Sequence, residues 1–171
     1  MTENLYHNII LNQDVERLLT LSSSEKEDFL FILLYNYLYT KSLNELNEVQ
    51  KTLVLASTLE DTCQADALPS LSEDREIFLA LPEMKKALEK LGALKTAAFL
   101  DEFISLVPVG IVPEWEWFFA DERGDIIDKI DYEICGYPDG RMCDLYIAYI
   151  SNPQNAEQLL LNLDNTGFIL E

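Results

Sequence analysis

Carboxylates dominate the chemistry this chain can offer. Between positions 114 and 144 stand Glu114, Glu116, Asp121, Glu122, Asp125, Asp128, Asp131, Glu133, Asp139 and Asp144, against Arg123, Lys129 and Arg141, a net of −7 in 31 residues. If one helix runs through this stretch, Asp121, Asp125 and Asp128 fall at i, i+4 and i+7. Asp131 then extends the row, with neighbours about 5–6 Å apart. Lys129 lies four residues after Asp125 and four before Glu133, which relieves part of the repulsion. A line of fixed negative charge has one evident use, the recognition of a basic surface, and these ten acids are the expected partner-binding residues.

Other chemistries lack their parts. Acyl transfer needs a base beside its nucleophile, and the sole histidine, His7, lies in an expected N-terminal arm, residues 1–13, where a catalytic geometry is hard to hold. The six glycines are scattered, and none belongs to a GxGxxG or GK[ST] loop that would cradle phosphate. Cys63, Cys135 and Cys143 show no CxxC spacing and no histidine near them. They read as reduced thiols rather than zinc ligands, with pairing of Cys135 and Cys143 as the alternative. An EF-hand loop starting at Asp121 fails at its third position, Arg123, and its twelfth, Tyr132. A looser carboxylate cluster over Asp121–Asp131 stays open as a weak Ca²⁺ or Mg²⁺ site, and with it a metal-dependent hydrolase as an alternative function. The leading expectation is a protein with no catalytic residue, no metal and no cofactor.

The whole chain frames that segment. Its 171 residues hold 31 Asp and Glu against 12 Lys and Arg, a net charge of −19 with a pI near 4.2. Direct nucleic-acid binding is excluded in expectation, because neutralising phosphates takes clustered Lys and Arg. Binding to anionic lipid is disfavoured on the same ground. Hydrophobic residues make up 49%, enough for a real core, and the length suits a single domain over 1–171. The first ten residues carry no secretory signal, and the apolar runs are too short to span a bilayer, so a cytoplasmic protein is expected.

Helix signals recur throughout, and the expected fold is all-α, a multi-helix domain with antiparallel helical hairpins. Ser24 and Glu27 form a capping-box pattern ahead of Phe29, and Ser42 and Glu45 repeat it. Leu46, Val49, Leu53, Ala56, Leu59 and Cys63 then recur at helical spacing, predicting one helix over 43–65. A short helix over 73–80 follows, and Pro82 opens the next. EMKKALEKL leads to Gly92 at the position of a left-handed cap, predicting a hairpin whose second arm, 94–107, turns Leu94, Ala97, Ala98, Phe103 and Leu106 inward. Val109–Val112 reads as a short buried connection, Pro113 as a first helical residue, and Gly124 as an interruption before a helix from Asp125. Met142–Ile150 and 156–163 read as helices, and Phe168–Leu170 as a strand or a docked end. Trp115 and Trp117 belong either to the core or to an exposed aromatic patch among the acids.

A compact chain of this length is about 40 Å across, and duplex DNA of that length carries about two dozen phosphates. Its 31 carboxylates are of the same order. The run ALEKLGALKTAAFLDEFISLVP, with weaker echoes in CQADALPSLSED and CDLYIAYISNP, resembles a family of small acidic bacterial proteins, catalogued as a domain of unknown function, that includes a DNA mimic. The resemblance implies an all-α fold, a homodimer, and a role in which the acidic surface occupies the DNA-binding face of a basic helix-turn-helix transcription regulator and keeps it from its operator. An immunity or antitoxin protein covering a basic nuclease toxin is the alternative that the same acidity allows.

Overall fold

A computed structural model describes residues 2–163, with side chains from Asn4 onward. The fold is all-α: among the described residues there is no strand, and none of their helices is long and apolar enough to cross a membrane. The contacts divide the chain into two compact units, Met1–Val54 with Tyr146–Glu171, and Leu55–Leu145. The segment Phe168–Leu170 lies outside the described residues.

In the first unit, residues expected to form an arm instead form helix α1, Thr2–Leu11. Tyr6, Ile9 and Ile10 are spaced one turn apart and are buried, with the Tyr6 ring edge-on to Phe29 at 6.1 Å. His7 is likewise held, its Nδ1 2.6 Å from the Tyr37 hydroxyl. Asp14 caps α2, Val15–Thr20, by accepting from the Arg17 amide. Helix α3, Ser23–Leu33, begins two residues earlier than the sequence suggested: Ser22 and Glu25, not Ser24 and Glu27, form the capping box. The serine run offers the S-x-x-E pattern twice, and the earlier copy follows directly on the buried Leu21. A π-helical turn, Leu34–Leu38, continues α3.

The capping box at Ser42 and Glu45 forms as expected but closes only a 3₁₀ turn, Leu43–Glu45. Two residues on, Asn47 supplies a second cap, accepting from the amides of Val49 and Gln50, and helix α4 runs Glu48–Ala65. The stripe from Leu46 to Cys63 is buried as its period requires. Gln50 is 2% exposed and fully used: its Oε1 accepts from the Asn47 amide, and its Nε2 donates to the carbonyls of Leu159 and Leu161. These bonds fasten the end of a later helix, Pro153–Leu160, within the same unit.

In the second unit, the 3₁₀ segment Leu68–Glu73 leads into α5, Arg75–Leu79, capped by Asp74, and then α6, Leu81–Leu91, with Pro82 in its first turn. Gly92 adopts φ +83, the left-handed cap its position called for, and α7, Leu94–Leu106, folds back along α6. Lys85 and Asp101 pair across this hairpin at 2.8 Å. The inward face of α7 is rotated from the expected one: Thr96, Ala97, Leu100 and Phe103 are buried, while Leu94 is 63% exposed and Ala98 faces out. Val109–Val112 is not a buried connection, since Val109 is fully exposed and Ile111 largely so. Pro113 precedes α8, Trp115–Phe118, instead of opening it. Phe118 stacks on Phe103 and meets Phe78 edge-on, which centres the core of this unit on three rings. Helix α9, Arg123–Cys135, completes the second unit; α10, Met142–Ile150, begins in it, and α11, Pro153–Leu160 with Asn152 as its cap, belongs to the first. Gly124 sits inside the first turn of α9 and so does not interrupt the helix; a Cβ there would make only ordinary contact with the Phe119 backbone at 3.5 Å.

Gln50→Ala leaves the Asn47 amide and two carbonyls without their partner at a buried position. It should lower stability by about 2–4 kcal/mol, read by urea denaturation followed by circular dichroism.

Candidate functional site

Helices α7 and α9 pack side by side, and the groove between their exposed edges gathers acids around an apolar floor. Phe99 and Glu102 of α7 face Asp125, Ile126, Lys129 and Glu133 of α9 across a hollow of about 360 Å³. A second hollow, of about 580 Å³, shares Ile126 and is lined further by Leu106, Asp121, Glu122 and Arg123. Together they form a trough with five carboxylates and two basic residues. Arg123 is turned inward, where its guanidinium lies 3.8 Å from the centre of the Trp117 ring and donates to the Trp117 carbonyl.

The ten acids singled out by spacing separate into three groups. Asp121, Glu122, Asp125 and Glu133 line the trough, joined by Glu102, which charge density along the chain did not mark. Glu114, Glu116, Asp128 and Asp144 are exposed and not part of its lining. Asp144 lies 3.9 Å from Arg141. Asp131 and Asp139 are half-buried and hold backbone instead of facing a partner.

The continuous row of carboxylates does not form. Asp121 has φ +56, a left-handed conformation that ends helical propagation, and α9 starts only at Arg123. The outward line on α9 is therefore Asp125, Asp128 and then Tyr132, which is 79% exposed. Trp115 and Phe119, 5.2 Å apart, are partly exposed, whereas Trp117 is half-covered beneath Arg123, so the two tryptophans divide between the alternatives.

Asp139 explains how α7 can begin where it does. The cap residue is Ala93, whose side chain accepts nothing, so the first amides of the helix need a partner from elsewhere. The Asp139 carboxylate supplies it from 43 residues away, accepting from the amides of Lys95 (3.1 Å) and Thr96 (2.7 Å) and from the Thr96 hydroxyl (2.8 Å). Burial alone would raise its pKa, but these donors, with Lys95 nearby, hold it below the ordinary carboxylate value.

Asp131 sits beside sulfur. Its Oδ1 accepts from the Leu68 amide at 2.9 Å, and its Oδ2 is 3.9 Å from the Cys135 Sγ. The Cys135 thiol also reaches the Cys63 carbonyl at 3.2 Å, and Cys63, Asp131 and Cys135 place their side-chain ligand atoms within 4.8 Å of one another. The three cysteines form no disulfide, and the neighbour of Cys135 in space is Cys63, not Cys143. Burial pushes the Cys63 and Cys135 thiols and the Asp131 carboxyl above their usual values. Sequence spacing missed this trio because Cys63 is far away along the chain. The i, i+4 pair Asp131 and Cys135 on one helix face was the available signal.

No protein-family profile, no curated protein and no solved structure matches the chain.

Asp139→Ala removes the borrowed cap and should cost about 1–2 kcal/mol at neutral pH. Because the folded pKa is depressed, this contribution is present above the unfolded carboxylate value and is lost as pH falls through the folded one. Melting curves of wild type and variant should therefore differ at pH 7 and converge below about pH 4.

Proposed function

We propose that the protein is a non-enzymatic DNA mimic that binds the DNA-reading helix of a basic, helix-turn-helix transcription regulator in the trough between α7 and α9. The observation that carries this reading is the composition of the trough: Glu102, Asp121, Glu122, Asp125 and Glu133 around Phe99 and Ile126. A carboxylate offers an arginine the same two-oxygen fork as a phosphate, so a helix that pairs with a DNA backbone finds equivalent acceptors here. The apolar floor adds contact area that DNA phosphates lack, which favours retention of a protein partner once charge has brought it in. A net charge of −19 raises the encounter rate with any basic surface and repels DNA itself. In this reading the protein works in the cytoplasm, where its thiols stay reduced, and a homodimer would present two such troughs to a two-fold symmetric regulator.

The carboxylates lie along a trough instead of a ruled line, so the mimicry is of the acceptors that arginine and lysine seek and not of phosphate spacing. That makes the reading testable at named positions. Immobilised protein should capture a basic DNA-binding protein from a bacterial lysate, and both duplex DNA and raised salt should release it. The triple variant Glu102→Gln, Asp125→Asn, Glu133→Gln should weaken the purified complex by about tenfold or more, from exposed pairs worth up to about 1 kcal/mol each. A charge-matched control, Glu16→Gln, Glu27→Gln, Asp28→Asn, should bind within about twofold of wild type. Equal weakening by both would reduce the effect to net charge, and a captured nuclease in place of a regulator would make this an immunity protein.

A further inference from the structure

Independently of partner binding, we propose that Cys63, Asp131 and Cys135 form a binding site for a soft divalent cation, Zn²⁺ being the fitting one. Two helices build it. Asp131 and Cys135 stand one turn apart on α9, and Cys63 comes from the last turns of α4, all within the second unit. The ligand atoms already lie within 4.8 Å of one another, and the Cys135 Sγ to Asp131 Oδ2 distance is 3.9 Å. Zn–S and Zn–O bonds of about 2.3 and 2.1 Å at a tetrahedral angle require sulfur and oxygen about 3.6 Å apart. The Cys135 and Asp131 ligand atoms thus stand about 0.3 Å from the separation a shared ion requires, and the Cys63 ligand atom lies within 4.8 Å of both.

The surroundings fit a cation as well. Asp131 is oriented for it, because the Leu68 amide holds Oδ1 and leaves Oδ2 toward the sulfurs, the outer-sphere bond that ligating carboxylates normally receive. A cavity of about 20 Å³ adjoins the two sulfurs, room for a single ion or water. Glu60, one turn before Cys63 on α4, lines it together with Tyr137, whose hydroxyl is bonded to the Glu60 carboxylate. Three protein ligands leave the fourth position of a tetrahedral ion to a water, and the cavity beside Cys63 and Cys135 has room for one. Two sulfur ligands select Zn²⁺ over Mg²⁺ and Ca²⁺, which prefer all-oxygen shells. Binding converts both thiols to thiolates and releases their protons to solvent, with no change of oxidation state. The bound ion would fasten the end of α4 to the helix that forms one wall of the trough.

The test uses the full chain, reduced and stripped of metal. Zn²⁺ should bind one per chain. Co²⁺ in its place should give the intense near-ultraviolet sulfur-to-metal band and visible absorption of tetrahedral thiolate coordination, neither of which Mg²⁺ at a hundredfold excess should diminish. Cys63→Ser and Cys135→Ser should each cut the sulfur band to half or less, the double variant should abolish it, and Asp131→Asn should weaken Zn²⁺ binding about tenfold or more. Since a core cysteine variant can misfold, alkylation of the wild type gives a second readout. Zn²⁺ should slow labelling of Cys63 and Cys135 by tenfold or more while leaving Cys143 unchanged. Absence of the sulfur band in the wild type, or equal labelling rates with and without Zn²⁺ at all three cysteines, would overturn the site.

Discussion

Within the second unit, the carboxylate of Asp139 completes the open end of α7. A helix whose cap residue is alanine leaves its first amides without a side-chain acceptor of their own. Asp139 collects two of them along with a hydroxyl. The loop after α9 is thereby tied to the start of α7, and the two helices hold the alignment that forms the trough. Acidic side chains in this protein thus do two separate jobs. Some hold helix starts, Asp14 and Asp74 as the caps of their own helices and Asp139 from a distance, and others stay on the surface with no backbone to hold.

That division is what the sequence could not express. Density of charge between Glu114 and Asp144 drew attention to α9, yet two of the ten acids are half-buried against backbone, and one of the trough's own, Glu102, belongs to a helix earlier in the chain. Local rules succeeded where the determinants are local. The glycine cap at Gly92, Pro82 in a first turn, the buried stripe of α4 and the hairpin of α6 and α7 all depend on residues within a few positions of each other. They failed where a partner far along the chain decides. The inward face of α7 is set by its neighbours and not by its own most apolar positions, which leaves Leu94 outside and Thr96 inside. In the segment read as an arm, residues 1–13, Tyr6 meets Phe29 and His7 meets Tyr37, contacts no local pattern reveals.

Two signals were present but ambiguous. Overlapping S-x-x-E patterns at Ser22 and Ser24 offered two equivalent starts for α3, and paired caps at Ser42 and Asn47 offered two for α4. The chain uses only the earlier of the two serine boxes, whereas both Ser42 and Asn47 cap, the first a 3₁₀ turn and the second α4. The thiol and carboxylate at Asp131 and Cys135 were similarly visible as a one-turn pair, but only the fold brings Cys63 to them.

The segment joining α7 to α8 has a different kind of significance. Pro108 and Pro113 bracket it, Val109 is wholly in solvent, and Gly110 turns at φ +71 with open space around it. Backbone held between two prolines loses little freedom on folding, and Val109, Gly110 and Ile111 contribute little to the interior. Such a stretch is free to accept foreign sequence, so a fluorophore or epitope spliced in after Val109 would report on the second unit from a site where the fold has nothing to lose.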